Sequence, residues 1–156
     1  MLPYKYDIIT ISSVIFVIRY ELILIILMEI MYDYWKQKIE NRGLTWILRC
    51  PTKYDAIELS KLRVKIDGET ENLDRESGEG LLTPEDFKKL IYEDLIAKNT
   101  IFLVAEVEGK IVGFTRCQGS KLSRFRHKSE FGICISKEYW SHGIGKVLLY
   151  NGKIIR

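Results

Sequence analysis

A buried strand followed by a glycine turn and the start of a helix most constrains what this chain can fold into. Residues 129–136 are predicted to form a short buried strand, Gly143 and Gly145 stand in the turn, and the apolar residues 147–149 begin the helix. Such a turn directs several backbone N–H groups at one point, where the helix dipole favours negative charge. Glycines also let the backbone approach a phosphate without a Cβ in the way. The sequence therefore predicts an anion site at this turn, with a plain turn as the alternative.

The spacing of the glycines argues against two common phosphate-binding motifs. A dinucleotide-binding turn needs a third glycine three residues after Gly145, where Leu148 stands. A P-loop needs Ser or Thr after its Gly-Lys pair, where Val147 stands. The turn nevertheless has cationic neighbours, because Lys146 and a protonated His142 would both add positive charge.

Upstream of the turn, the hydrophobic pattern predicts strands and helices in a definite order. Thr83 and Pro84 are typical of a helix start, since Thr suits the N-cap and Pro suits the first helical position. Glu108-Gly109 is typical of a hairpin turn between two strands. The predicted elements are a strand at 45–50, a helix at 53–66, a helix at 84–99, and strands at 100–107, 111–117 and 129–136.

This order of elements and the glycine turn resemble the GNAT superfamily of N-acetyltransferases. In that family a motif of Gln or Arg, two residues, Gly, one residue, then Gly or Ala follows the fourth strand. Residues 140–145 match it, with Trp140 where the family has Gln or Arg. The resemblance covers residues 45–150. It implies an α+β fold, in which helices flank a mixed, mostly antiparallel central sheet.

The resemblance also implies an activity and a set of site residues. Acetyl-CoA would be the co-substrate, no metal would be needed, and the acetyl group would pass directly to a small-molecule or peptide amine. Glu130, near the start of the fourth strand, would act as the general base. The pantetheine amides would bind backbone groups of Cys134, Ile135 and Ser136. The pyrophosphate would bind Ser141, His142, Gly143, Ile144, Gly145 and Lys146.

The sequence after residue 150 does not resemble the strands and helix that follow the motif helix in GNAT domains. We therefore expect a partial GNAT domain at residues 45–156, with the C-terminal elements missing. An alternative hypothesis is a non-catalytic, truncated remnant that binds CoA weakly. Such a remnant would expose the edge of its sheet and could form a homodimer through it.

Residues 1–44 differ from the rest of the chain and are predicted to be an apolar N-terminal extension. Residues 8–30 are long and apolar enough to span a membrane, but Arg19 and Glu21 lie at the middle. The apolar residues contribute about −7 kcal/mol to insertion and the two central charges cost about +5 to +6 kcal/mol. A membrane anchor is therefore an open but not favoured hypothesis, beside a helix or strand pair packed on the domain and sequence foreign to it.

Composition limits the remaining classes of function. The 156 residues suggest one folded domain, and a net charge of +3 gives no argument for nucleic-acid binding. Cys50, Cys117 and Cys134 lie far apart without a C-x-x-C spacing, so we expect reduced thiols in a cytoplasmic protein. The acidic segment at 67–79 is predicted to be a loop, with attraction of a cationic amine as its functional alternative.

Overall fold

The computed structural model describes residues 16–20, 22–23, 26, 36–70, 80–120 and 128–152. The chain divides into two compact units, residues 1–35 and residues 36–156. In the first unit, residues 16–20 are helical and exposed. Among the described residues, no helix is long and apolar enough to cross a membrane. Most of the apolar run at 8–30 lies outside the described residues, so its role as an anchor stays a prediction.

Five strands form one sheet in the part of the second unit that the structure describes. They are β1 (Gln37–Asn41), β2 (Leu44–Arg49), β3 (Thr100–Val107), β4 (Lys110–Gly119) and β5 (Ser129–Ile135). The strands lie side by side in chain order, and each neighbouring pair is antiparallel. With helices on both faces, this arrangement confirms the α+β class predicted from the sequence.

Three helices of the described ranges flank the sheet. They are α1 (Ala56–Glu69), which follows a 3₁₀ turn at Lys53–Asp55, α2 (Pro84–Ile96), and α3 (Ile144–Gly152). The predicted start of α2 is confirmed, because the Thr83 hydroxyl accepts a hydrogen bond from the Asp86 N–H at 3.2 Å. Helix α1 continues through Gly68 to Glu69, although its predicted range ends at residue 66. One reason is that the next side chain, Glu69, accepts the Lys137 N–H at 2.8 Å.

Both faces of the sheet are packed, which explains why β3 is apolar along most of its length. Side chains alternate between the faces, so Phe102 and Val104 enter one core while Leu103 and Ala105 enter the other. The first core lies under α1 and α2 and includes Leu59, Ile66, Phe87, Ile91, Phe114 and Cys134. The second lies under α3 and includes Trp46, Leu48, Val112, Ile144 and Leu148.

The strand β1 is an element that the sequence does not predict. The sequence assigns residues 37–44 to the N-terminal extension, whereas the structure places the start of the second unit at Lys36. Among the described residues β1 is an edge strand that pairs only with β2, and its Gln37, Lys38 and Glu40 are exposed. Its polar composition gives no apolar alternation, so only its pairing with β2 reveals it.

Candidate functional site

The glycine turn joins the end of β5 to α3, as the sequence predicts. Ser141 and Gly143 have left-handed backbones, with φ of 67° and 83°. The first hydrogen bond of α3 runs from the Val147 N–H to the Gly143 carbonyl at 3.3 Å. The N–H groups of residues 144–146 precede that bond and have no acceptor inside the helix. Together with the helix dipole, they form a place where an anion is favoured.

A groove of about 510 Å³ lies at this turn. Two of its lining side chains, Arg42 and Lys146, are cationic, and no carboxylate is among the lining residues. The lining residues are Asn41, Arg42, Ile135, Tyr139, Trp140, Ser141, Gly143, Ile144, Gly145 and Lys146. The groove therefore combines unpaired helix N–H groups with positive charge, a combination that suits a phosphate.

Side chains of the turn hold its shape. The Trp140 indole N–H donates to the Ile135 carbonyl at 2.8 Å, and His142 Nδ1 lies 2.9 Å from the Trp140 carbonyl oxygen. Trp140, which stands where the family motif has Gln or Arg, thus ties the turn back to the end of β5. His142 contacts the backbone of the turn, but it is not among the residues that line the groove.

The outer edge of β5 is the second part of the site. In an antiparallel pair, alternate residues direct their N–H and C=O groups at the partner strand. Ser136 is one of these, because its N–H donates to the Val112 carbonyl at 2.9 Å. The backbone groups of Cys134 also point toward β4, whereas those of Ile133 and Ile135 point toward the outer edge. Within the described ranges, no further strand lies beyond β5.

This geometry changes the set of backbone groups expected for the pantetheine. Ser136 uses its N–H for Val112, and its carbonyl accepts the Tyr139 N–H at 3.0 Å. The backbone contact predicted for Ser136 therefore does not fit this arrangement. The backbone groups of Cys134, which are also predicted to bind, face β4. Ile135 keeps only its N–H for a ligand, because its carbonyl accepts the Trp140 indole N–H, and Ile133 is added to the expected set. The sequence places all these residues on one strand, but the direction of each N–H depends on the register with β4.

A cluster of polar side chains from α1 and from the residues just after β5 holds the end of β5 in place. The Lys65 ammonium donates to the Ser136 hydroxyl at 2.9 Å and to Glu138 at 2.7 Å. The hydrogen bond and charge of Lys65 hold the pKa of the Glu138 carboxyl below its usual value. This cluster links α1 to the start of the turn. The hydroxyl, N–H and carbonyl of the buried Ser136 are therefore all hydrogen-bonded within the protein.

Glu130 lies near the other end of β5. It is exposed and pairs across the sheet with Gln118. It precedes Ile135 by five positions, which is about 17 Å along a strand. The pKa of Arg116 is raised chiefly by the hydrogen bond of Arg116 to Asp94. The negative charges of Asp94, Glu130 and Glu93 raise it further. A ligand that reached both Glu130 and the glycine turn would have to run along the β5 edge.

Asn41 and Arg42 are lining residues that sequence reasoning missed. They lie in the turn between β1 and β2, and the Arg42 guanidinium donates to the Ser141 carbonyl at 2.7 Å across 99 residues of chain. The hairpin signal that could have found this turn is Arg42-Gly43, although it lacks the usual Asn or Asp before Gly. Nothing in the sequence brings that turn to the groove.

Comparison with known proteins agrees with this fold. The pattern described as the acetyltransferase (GNAT) family matches residues 69–152. A GNAT-family acetyltransferase from Streptococcus pneumoniae is 29% identical, with a TM-score of 0.65, and the match covers 68% of this chain and 64% of that chain. A ribosomal-protein-alanine N-acetyltransferase from Brucella melitensis is 25% identical, with a TM-score of 0.56, covering 67% of this chain and 62% of that chain.

A third structure shares the fold at lower identity. It is a GNAT superfamily phosphinothricin acetyltransferase from Sinorhizobium meliloti in complex with acetyl-CoA, 20% identical with a TM-score of 0.55, covering 67% of this chain and 56% of that chain. This chain therefore spans less than two thirds of the length of these three relatives. A comparison with curated protein sequences found no match. The family pattern covers more than half of the chain, and the chain belongs to the GNAT acetyltransferase family.

Proposed function

We propose that this chain binds acetyl-CoA in the groove beside α3 and transfers its acetyl group directly to an amine. The observation that carries the proposal is the groove itself, which joins unpaired helix N–H groups, cationic lining and the open edge of β5 at one corner of the sheet. A relative with this fold has been solved in complex with acetyl-CoA, which supports the same co-substrate here.

The space around Gly145 supports close approach of a phosphate. A Cβ built at Gly145 would meet, within 4 Å, only the tip of the Ile135 side chain, at 3.2 Å. Both residues line the groove, so this backbone is open to a ligand on that side. The N–H groups of residues 144–146 and the Lys146 ammonium would hold the pyrophosphate, and the outer edge of β5 at Ile133 and Ile135 would hold the pantetheine amides.

The proposed reaction is a direct acyl transfer. The neutral amine attacks the thioester carbonyl carbon, the C–N bond forms, the C–S bond breaks, and the thiolate of CoA leaves. The attacking nitrogen must lose a proton, and Glu130 is the proposed acceptor, directly or through water. Backbone N–H groups at the outer edge of β5 are the proposed donors to the oxyanion. The acceptor is proposed to be a small-molecule or peptide amine in the cytoplasm.

Titration of the purified chain with acetyl-CoA by calorimetry tests the binding step. We expect saturable binding, with weaker binding at higher salt because the ligand's phosphates meet cations. A chain that stays folded but does not bind millimolar acetyl-CoA would rule out the activity, though not the family.

A change at Glu130 tests the chemical step. Glu130→Gln should leave acetyl-CoA affinity unchanged, because the side chain lies far from the glycine turn, and should lower the rate of acetyl transfer about a hundredfold. Glu108→Gln, which removes an exposed carboxylate from the β3–β4 turn, is the matched control and should keep the full rate. Equal rates for the two variants would remove Glu130 from the mechanism.

The open edge of β5 supports a second candidate function. Because no strand lies beyond β5 among the described residues, the chain could bind CoA without turnover and pair with a second copy through this edge. This hypothesis predicts a concentration-dependent homodimer by light scattering and no acetyl transfer. A monomer that acetylates amines at ordinary rates would exclude it.

A further inference from the structure

The turn between β1 and β2 forms one wall of the groove. Arg42 Nη1 donates to the Ser141 carbonyl at 2.7 Å. Beside it, the Asn41 side-chain amide lies so close to Gly143 that a Cβ there would collide with it. Both hairpin residues line the groove together with Ser141 and Gly143. The groove is therefore built from two turns, only one of which belongs to the family's motif.

The Arg42 side chain has N–H donors that remain available to a ligand. A guanidinium carries five N–H donors in a planar fork that suits a phosphate, and one donates to Ser141. Within the described part of the chain, no carboxylate forms a salt bridge with Arg42. No carboxylate lines the groove either. The positive charge of Arg42 is thus directed at the groove without a neutralising partner among the described residues.

The backbone at Arg42 does not favour an arginine. Arg42 and Gly43 have φ of 50° and 76°, the left-handed pair of a type I′ hairpin turn. The preferred residues for this turn are Asn-Gly and Asp-Gly, and other side chains in the left-handed region are uncommon. If turn geometry alone mattered, asparagine would therefore be more favourable than arginine at position 42. The β3–β4 turn has the same geometry, with Glu108 and Gly109 at φ of 49° and 78°.

We propose that Arg42 binds the pyrophosphate of acetyl-CoA, together with the N–H groups at the start of α3. The assignment to the pyrophosphate follows from the contact with Ser141, the residue at which the glycine turn begins. It rests on the proposed function, since it concerns the same groove and the same ligand. It adds a residue outside the family's motif, from a hairpin that precedes the residues matched by the family pattern.

Arg42→Asn separates binding from folding. It removes the guanidinium but installs an Asn-Gly pair, so the melting temperature should stay the same or rise. Acetyl-CoA affinity, measured by calorimetry, should fall about tenfold or more, because a charge-assisted contact to the phosphate is lost. Arg42→Lys should recover only part of the affinity, since an ammonium lacks the planar fork.

Two controls isolate the cause of the change. Lys38→Ala removes an exposed positive charge from the same hairpin, outside the groove, and should change affinity less than about twofold. Glu108→Asn makes the equivalent backbone change in the β3–β4 turn and should leave affinity unchanged. The loss caused by Arg42→Asn should shrink as salt is added. It should persist with 3′-dephospho-acetyl-CoA, which keeps the pyrophosphate.

The outcomes distinguish this inference from the proposed function. Wild-type protein that does not bind acetyl-CoA would remove both. Wild-type binding together with full affinity in Arg42→Asn would overturn the role of Arg42 alone. An equal loss of acetyl-CoA affinity in Lys38→Ala would show that the effect comes from overall charge. That result would also overturn the role of Arg42. An Arg42→Asn effect that disappears with 3′-dephospho-acetyl-CoA would overturn the assignment to the pyrophosphate.

Discussion

At the scale of single residues, the two glycines of the turn have different physical reasons to be glycine. Gly143 has a φ of 83°, a backbone conformation that residues with a Cβ rarely adopt, and a Cβ there would also have to displace the Asn41 amide. Gly145 is not in the left-handed region, and a Cβ there would meet only the movable tip of Ile135. Gly143 is therefore required by the fold, whereas Gly145 is required only if a ligand approaches the backbone.

Gly143→Ala should destabilise the folded chain without any ligand present. A left-handed conformation costs a residue with a Cβ about 1–2 kcal/mol, and the contact with Asn41 adds to that cost. Thermal unfolding should therefore show a melting temperature lowered by several degrees. Gly145→Ala is the control and should not lower it, because Ala favours the helix. Equal melting temperatures for Gly143→Ala and wild type would contradict the described turn.

Gly145→Val should instead affect binding. The branched side chain would occupy the space between the helix N–H groups and a phosphate, so acetyl-CoA affinity should be lost while most of the stability remains. Calorimetry and thermal unfolding of the same variant give both quantities. A variant that melts early but binds normally, relative to its folded fraction, would show that no phosphate approaches this backbone.

At the scale of elements, the start of α2 is encoded locally. The Thr83 hydroxyl accepts the Asp86 N–H, and the Asp86 carboxylate accepts the Thr83 N–H at 2.8 Å. Hydrogen bonds from the Thr83 side chain and backbone hold the pKa of Asp86 below its usual value. Thr83→Ala should lower the free energy of unfolding by about 1 kcal/mol, while Thr83→Ser keeps the cap and most of the stability. Chemical denaturation measures both, and identical values for the two variants would contradict the cap.

Elements with local signals are those that the sequence predicts well. β3 has the predicted bounds, and β4 exceeds its predicted range at both ends. β1 was missed because its residues are polar, and its strand conformation depends on pairing with β2. The same difference between local signals and long-range contacts applies to the residues of the site. The glycine turn could be read from the sequence, whereas Arg42 and the outward direction of Ile133 could not, because both depend on contacts between distant parts of the chain.

At the scale of the whole molecule, a buried arginine joins separate elements. Arg49 of β2 contacts Asp55, just before α1, at 2.8 Å and Glu106 of β3 at 2.6 Å. Burial raises the pKa of Asp55, but the hydrogen bonds from Arg49 and Thr52 outweigh burial and leave the pKa below its usual value. A buried arginine that lost these partners would be left uncompensated, which is costly.

This network predicts a pH dependence of stability. The pKa of Asp55 is lower in the folded than in the unfolded chain, so its contribution is present above the unfolded pKa and is lost as pH falls through the folded pKa. The free energy of unfolding should therefore decrease below about pH 4. Asp55→Asn should be less stable than wild type at about pH 7 and should lose less on acidification. Parallel curves for the two proteins between about pH 7 and about pH 3 would contradict this role.

The boundary between the two units gives the last prediction. The described members of both cores all lie in the second unit, and Ile39 of β1 and Leu44 pack against the second core. Removal of residues 1–35 should therefore leave the melting temperature and acetyl-CoA affinity of the second unit nearly unchanged. Removal of residues 1–44, the boundary expected from the sequence, also removes β1 and the groove residues Asn41 and Arg42.

The longer deletion should lower both quantities. The melting temperature should fall because β2 becomes an unpaired edge and Trp46, now almost fully buried, loses cover from Ile39, its partner across the β1–β2 pair. Acetyl-CoA affinity should fall because the groove loses one wall and one of its two cations. If both deletions gave the same melting temperature and affinity, β1 would not belong to the domain. A loss of affinity at unchanged stability would instead show that β1 serves the groove more than the fold.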